Sequence, residues 1–228
     1  MAFEFADSPV PVRADIGEAQ RRAWRHLASP GTWLTSCQRL AIAGETRAAR
    51  SCGYCTQRKA ALSPHAVDGT HDSVTDLPPE IVDAVHRLTT DPGRLTRSWY
   101  EDLMETGLPP THYVEILGVV TTMVAVDGFH LALGLALEPL PDIIEGEPSR
   151  ISPAGAEVTF AWVPTTGRHS VVNVMSLVPA EVEAFLDLHG AHYLSIPEMG
   201  DMTVEKGLTR PQMELVAGRV SSLNECFY

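Results

Sequence analysis

Lysine is nearly missing from this chain: of 17 basic residues only Lys59 and Lys206 are lysines. Basic residues are also outnumbered by acidic ones, 17 to 29, for a formal net charge of -12. A surface of that sign lacks the electrostatic footprint that nucleic acids and anionic membranes attract, so neither is an expected partner. The opening "MAFEFADSPVPVRADIGE" has neither the charged start nor the apolar core of a signal peptide, which makes a cytoplasmic location the expectation. Long uncharged apolar runs are lacking too. The most apolar stretch, Tyr113 to Leu137, carries Glu115, Asp127 and His130, and reads as a central buried helix rather than a membrane span. Convincing two-residue alternation is scarce, which leaves little support for sheets. What remains is 44% apolar content over 228 residues, ample for a real core.

Helical periodicity fills that space. Helices are expected over Ile16 to Leu27, Thr35 to Ser51, Pro79 to Thr89, Gly93 to Thr106 and Thr111 to Leu135, with "GLPP" separating the last two. The stretch 138–170 is rich in Pro and Gly and reads as a connection, with "EVTFAWV" the one hint of a strand. Helices resume at Pro179 to His189 and at Thr209, where Thr209 and Gln212 spell a capping box. Met213, Val216, Val220, Leu223 and Phe227 then fall at helical steps along one stripe expected to be buried.

An internal repeat organises the chain. Shifted by 174 residues without a gap, Leu34 to Tyr54 overlays Leu208 to Tyr228, and seven of 21 positions are identical, among them the Thr-x-x-Gln cap, an Ala-Gly step and Cys52 with Cys226. A repeat on this scale implies two related helical modules. The expected organisation is therefore an N-terminal helical extension over 1–33, a module over 34–137, the connection over 138–170, and over 171–228 the start of a second, truncated module.

The chemistry-bearing motif is "CGYC". Cys52 and Cys55 are three apart, so at a helix start both sulfurs point the same way and can approach bonding distance. Helix N-terminal amides, with Arg50, Arg58 and Lys59 nearby, favour thiolate over thiol. Glu45 lies seven residues earlier, two turns back on the same face, with Ala48 and Ala49 leaving room for a proton relay; a solvated surface carboxylate is the alternative. His65 could fold back as a base or stay exposed, and Asp127 and His130 suit a satisfied buried pair. Zinc is the rival use of C-x-x-C, but it needs four ligands. Cys37 lies too far along its helix and no H-x-x-H follows, so no metal is expected.

"CGYC" in an all-helical unit, together with "ELVAGRVSSLNECFY", resembles the alkyl hydroperoxidase D and carboxymuconolactone decarboxylase superfamily. The resemblance covers residues 34–137 as a whole module and 208–228 as the opening of another. It implies an all-α bundle that oligomerises with itself. It also implies a peroxidase pattern of glutamate, eleven residues, C-x-x-C and a histidine four residues on, in which the second cysteine is oxidised and the first resolves it. The terminal copy matches the opening of that pattern with Glu214 and Cys226. The first copy matches it with Cys55 as peroxidatic and Cys52 as resolving cysteine, but Leu40 stands at the glutamate position and Lys59 at the histidine position, so Glu45 and another base would have to substitute.

The resemblance implies a thiol-dependent hydroperoxide reductase with no cofactor, a hydroperoxide as substrate and an external dithiol or thioredoxin-like protein as reductant. A non-redox decarboxylase-like enzyme and a degenerate oligomerisation scaffold are the alternatives. Some oxidoreductases of this kind resemble selenoproteins, whose UGA codon is easily misread as a stop. A reactive cysteine or selenocysteine is accordingly expected after Tyr228, which reading the DNA past the last codon checks. The stripe from Met213 to Phe227 is then expected to lack its partners and to stay exposed or pair with another chain.

Overall fold

The computed structural model describes residues 3–168 and 170–224. They form nine α-helices: α1 Ala14–Ala28, α2 Ser36–Ala49, α3 Gly53–Ala60, α4 Pro79–Thr90, α5 Arg97–Glu105, α6 Pro110–Ala132, α7 Pro179–His192, α8 Ile196–Met199 and α9 Arg210–Leu223. Among the described residues no strand forms. The "EVTFAWV" segment makes one isolated bridge, Glu157 with Thr165, because its neighbours have no second strand to pair with.

Local chemistry accounts for the helix ends. Thr35 closes a capping box with Gln38 at the start of α2, and Thr209 does the same with Gln212 at the start of α9. The two copies of the sequence repeat therefore both become capped helices of 14 residues. Prolines open α4, α6 and α7 at positions where a missing amide hydrogen costs nothing. The expected helix from Gly93 starts later, at Arg97. Pro92–Arg94 instead form a 3-10 turn, and the Thr96 side chain accepts the Trp99 amide as the new cap. Gly134, at φ 70, ends the α6 segment in a left-handed turn that a side chain would resist.

α6 is long and apolar enough to cross a membrane, with a mean hydropathy of 1.5 in its most apolar window. In this fold it is the central core helix, packed by α2, α4 and α7. One continuous apolar cluster runs from Phe3 and Trp24 through Ile42, Val85, Ile116 and Met123 to Val178 and Leu188. The 138–170 connection packs back on that core: Ile144 donates its amide to Ala28 O, Arg150 donates to Thr32 O, and Trp24 Nε1 donates to Pro139 O.

Charge inside this core is paired. Arg39 bridges Glu115 at 2.9 Å and Glu181 at 2.6 Å, and His26 holds Glu181 at 3.0 Å. Glycines make space for the carboxylates: a Cβ at Gly118 would sit 2.3 Å from Glu181 Oε2, and one at Gly31 would sit 1.7 Å from Glu115 Oε1. Asp127 and His130 do not bond each other. Asp127 takes a two-pronged ion pair from Arg47 at 2.9 and 2.8 Å, while His130 Nδ1 bonds Val126 O.

The α9 stripe stays largely exposed, one of the two outcomes expected of it: Met213 is buried, but Val216, Val220 and Leu223 stand in solvent beside Leu215, which is 75 % exposed. Their helix ends the described chain with no second layer across from it. Phe227 lies outside the described residues.

Candidate functional site

α2 stops at Ala49 and a short turn through Arg50 and Ser51 leads to Cys52, the N-cap of α3, with extended backbone at φ -66 and ψ 124. Cys55 sits in the first turn of α3, and the Thr56 amide closes that turn on Cys52 O at 3.1 Å. The two sulfurs therefore share one side of a helix start, as the spacing requires. Both cysteines are reduced and buried, whereas Cys37 is reduced and exposed.

Two histidines that no local motif announces converge on the sulfurs. His71 comes from the loop between α3 and α4, with Nδ1 3.7 Å from Cys52 Sγ and 3.4 Å from Cys55 Sγ. His86 comes from the buried face of α4, with Nδ1 3.3 Å from Cys55 Sγ. The loop is pinned over α3. Asp72 accepts the Gly53 amide at 2.8 Å, Val67 O accepts the Tyr54 hydroxyl at 2.9 Å, and Gly69 lies so close to the Tyr54 ring that a Cβ would come within 2.7 Å of it.

Each imidazole is backed by a carboxylate. His86 Nε2 lies 3.0 Å from Glu45 Oε2, and both side chains are fully buried. Glu45 Oε1 accepts the Ser73 hydroxyl, the Val74 amide and the Thr75 hydroxyl at 2.7, 2.9 and 2.6 Å. The solvated alternative for Glu45 is thus overturned, because the 73–75 segment wraps its carboxylate. His71 Nε2 lies 3.0 Å from Asp83 Oδ1, and Asp83 also takes Arg58, Arg87 and Trp99 Nε1.

The electrostatics follow from this wiring. Burial alone would push the Cys55 thiol up, but hydrogen bonds from His71, then His86 and Thr90, override it and bring the thiol down to about 6. Burial opposes charge on His71 as well, yet Asp83 and the two sulfurs raise it to about 10. Burial would also raise Glu45, but Thr75, Ser73 and His86 hold it below its ordinary range, and His86 is raised by Cys55 and Glu45 against its own burial. Among the groups that stabilise the thiolate, hydrogen-bonding imidazoles outweigh the basic side chains expected to do so. Arg58 is spent on Asp83. Arg50 and Lys59 instead line a cleft of about 230 Å³, with Cys55, Thr56, Thr89 and Thr90, that opens onto the site.

Of the residues expected to act, Cys52, Cys55 and Glu45 are brought together, with Glu45 reaching Cys55 through His86. Glu214 is not part of this cluster. It bonds Tyr193 OH and Arg210 Nε, both at 2.7 Å. Cys226 lies outside the described residues. His65 remains exposed on the rim of a small recess that also touches Cys55 and His71, and the imidazoles beside the sulfurs are those of His71 and His86. His86 had one signal in the sequence, since it falls among Val82, Val85 and Leu88 on the buried side of α4. His71 had none.

The four donor atoms of Cys52, Cys55, His71 and His86 all lie within 4.8 Å of one another. C-x-x-C offers no further ligands nearby in sequence, but the fold brings in two histidines from distant positions. Comparison with protein-family models, with curated proteins and with solved structures yields no match.

Proposed function

We propose that this chain is a thiol-dependent hydroperoxide reductase of the alkyl hydroperoxidase D kind, with Cys55 as the attacking sulfur and Cys52 as the resolving one. The observation that carries the reading is the unbroken line Glu45, His86, Cys55, at 3.0 and 3.3 Å, ending where Cys55 meets a cleft. Where the resembled pattern has a glutamate and a histidine close to its cysteines in sequence, Glu45 and His86 supply the same chemical pair from α2 and α4.

The Cys55 thiolate attacks the terminal peroxide oxygen. The O–O bond breaks, the sulfur takes the oxygen as sulfenic acid, and the departing alkoxide leaves as an alcohol with a proton from His86, held in place by Glu45. The Cys52 sulfur then attacks the sulfenic acid, forming the disulfide and releasing water. An external dithiol supplies two electrons and two protons to restore both thiols. Arg50, Lys59 and three threonines line the cleft, which suits a small, polar or anionic hydroperoxide.

The test is consumption of an organic hydroperoxide by the reduced chain with a regenerating dithiol. Turnover abolished by Cys55→Ser is the expected result. Turnover unchanged by that substitution, or a Cys52–Cys55 pair that never oxidises under mild peroxide, overturns the reading and favours a non-redox enzyme or a scaffold. Self-association, expected from the same resemblance, is checked by sedimentation of the full chain.

A further inference from the structure

We infer that the reduced site is a closed Cys2His2 zinc centre, with Cys52 Sγ, Cys55 Sγ, His71 Nδ1 and His86 Nδ1 as its ligands. The inference does not rest on hydroperoxide chemistry, since it concerns what the reduced donors bind rather than what they reduce.

A tetrahedral zinc with sulfur at about 2.3 Å and nitrogen at about 2.0–2.1 Å needs ligand atoms about 3.3–3.8 Å apart. Three of the sulfur-to-nitrogen edges here are 3.7, 3.4 and 3.3 Å, and the full set of four atoms fits within 4.8 Å. Two thiols and two imidazoles are also the donor set that zinc prefers over harder cations.

The ligands are also supported from behind. Both histidines turn Nδ1 to the sulfurs and Nε2 to a carboxylate, Asp83 for His71 and Glu45 for His86, each at 3.0 Å. An Nε2–H donated to a carboxylate fixes the tautomer that leaves Nδ1 free to bind a metal and makes it a stronger donor. Those carboxylates are themselves held, Glu45 by Ser73, Val74 and Thr75, Asp83 by Arg58, Arg87 and Trp99. The Asp72 amide points at Cys52 Sγ from 3.4 Å, which favours a charged sulfur. Such outer support on all sides is more than a bare dithiol needs.

The ligands come from α3, the following loop and α4, so a bound zinc would tie the only long loop between these helices to the body of the fold. Four protein ligands leave no open position, which is the form of a structural rather than a hydrolytic zinc. Occupancy and thiol oxidation exclude each other. If a hydroperoxide oxidises the pair, two thiolates and two protons yield the disulfide, an alcohol and water, and the zinc ion is set free.

The probe is cobalt(II) added to the reduced, metal-stripped full chain, followed by zinc in competition. Expected are a thiolate-to-cobalt charge-transfer band and the intense visible absorption of tetrahedral cobalt, saturating at one ion per chain, bleached by zinc, and retained in Cys37→Ser. Weak octahedral absorption, or no thiolate band, overturns the proposal. The wild-type chain gives a second readout free of any folding defect: zinc should protect Cys52 and Cys55 from alkylation while Cys37 still reacts, and equal labelling of all three with and without zinc overturns it. Hydroperoxide turnover by the metal-stripped chain is measured separately, so a chain that binds zinc but consumes no peroxide refutes the reductase reading alone, and the reverse refutes the zinc centre alone.

Discussion

His86 and Glu45 are 41 residues apart in sequence and share a 3.0 Å contact in the fully buried interior between α4 and α2. That contact aims the other face of the imidazole at Cys55. Glu45 touches no sulfur, so it is a positioning residue. Glu45→Gln keeps its shape and its bonds to Ser73, Val74 and Thr75 while removing the charge behind His86. The expected outcome is a fall of about 10–100-fold in kcat for hydroperoxide reduction with little change in KM, and a comparable weakening of cobalt binding. Glu45→Asp should recover part of both. Steady-state kinetics beside a far-UV circular dichroism control decide it; equal kcat in wild type and Glu45→Gln would remove Glu45 from the site.

The order of the two sulfurs makes a second prediction. Cys55 lines the cleft, whereas Cys52 lies behind it under the Asp72 amide. In Cys52→Ser the sulfenic acid at Cys55 has no resolving partner within the pair. One equivalent of hydroperoxide should then leave Cys55 as a species trapped by a sulfenate-specific nucleophile and visible by mass spectrometry. Cys55→Ser should give no such adduct at Cys52. Adducts appearing at Cys52 in place of Cys55 would reverse the two roles.

The helices were legible because their signals are local. The capping boxes at Thr35 and Thr209, the prolines at the starts of α4 and α7, and the apolar run of α6 all act within one turn or one face. The C-x-x-C pair and Glu45 were legible for the same reason, as spacing on neighbouring turns fixes their direction. Half of the site was not, because His71 and His86 lie 16 and 31 residues beyond Cys55 and meet it only after α4 packs on α2. No periodicity encodes that distance. The α9 stripe is the converse case, since an amphipathic pattern states that a face can be buried and leaves open what would cover it.

The buried charge on Arg39 yields a stability prediction. Its guanidinium is held by Glu115 and Glu181 with almost no exposure on any of the three. Burial opposes charge on all of them, and the pairing with Arg39 keeps Glu181 ionised. Arg39→Met would strand two carboxylates in the core, at an expected cost of about 3–5 kcal/mol in urea unfolding. Adding Glu115→Gln and Glu181→Gln to Arg39→Met should restore most of that loss, because the cost comes from unpaired charge rather than from a missing contact. A triple variant no more stable than Arg39→Met would show that packing of the long Arg39 side chain is what matters.

His192 sets a pH dependence of its own. Burial, with the nearby Arg13 charge adding to it, lowers this imidazole from an ordinary 6.5 to about 4, and its Nε2 lies 3.1 Å from Gln20 Nε2. Because the folded value is depressed, the unfolded chain binds the extra proton between pH 6.5 and 4. The contribution of His192 is therefore complete above pH 6.5 and is lost as pH falls toward 4. A shift of this size amounts to about 1–3 kcal/mol once partial exposure is allowed for. Other groups titrate in the same window, so the informative quantity is the difference between wild type and His192→Gln. That difference in urea unfolding free energy should change by about 1–3 kcal/mol between pH 7 and pH 4.5, with His192→Gln the less acid-sensitive chain. A difference that stays constant across the window would mean that His192 is charged in the folded state or solvated within it.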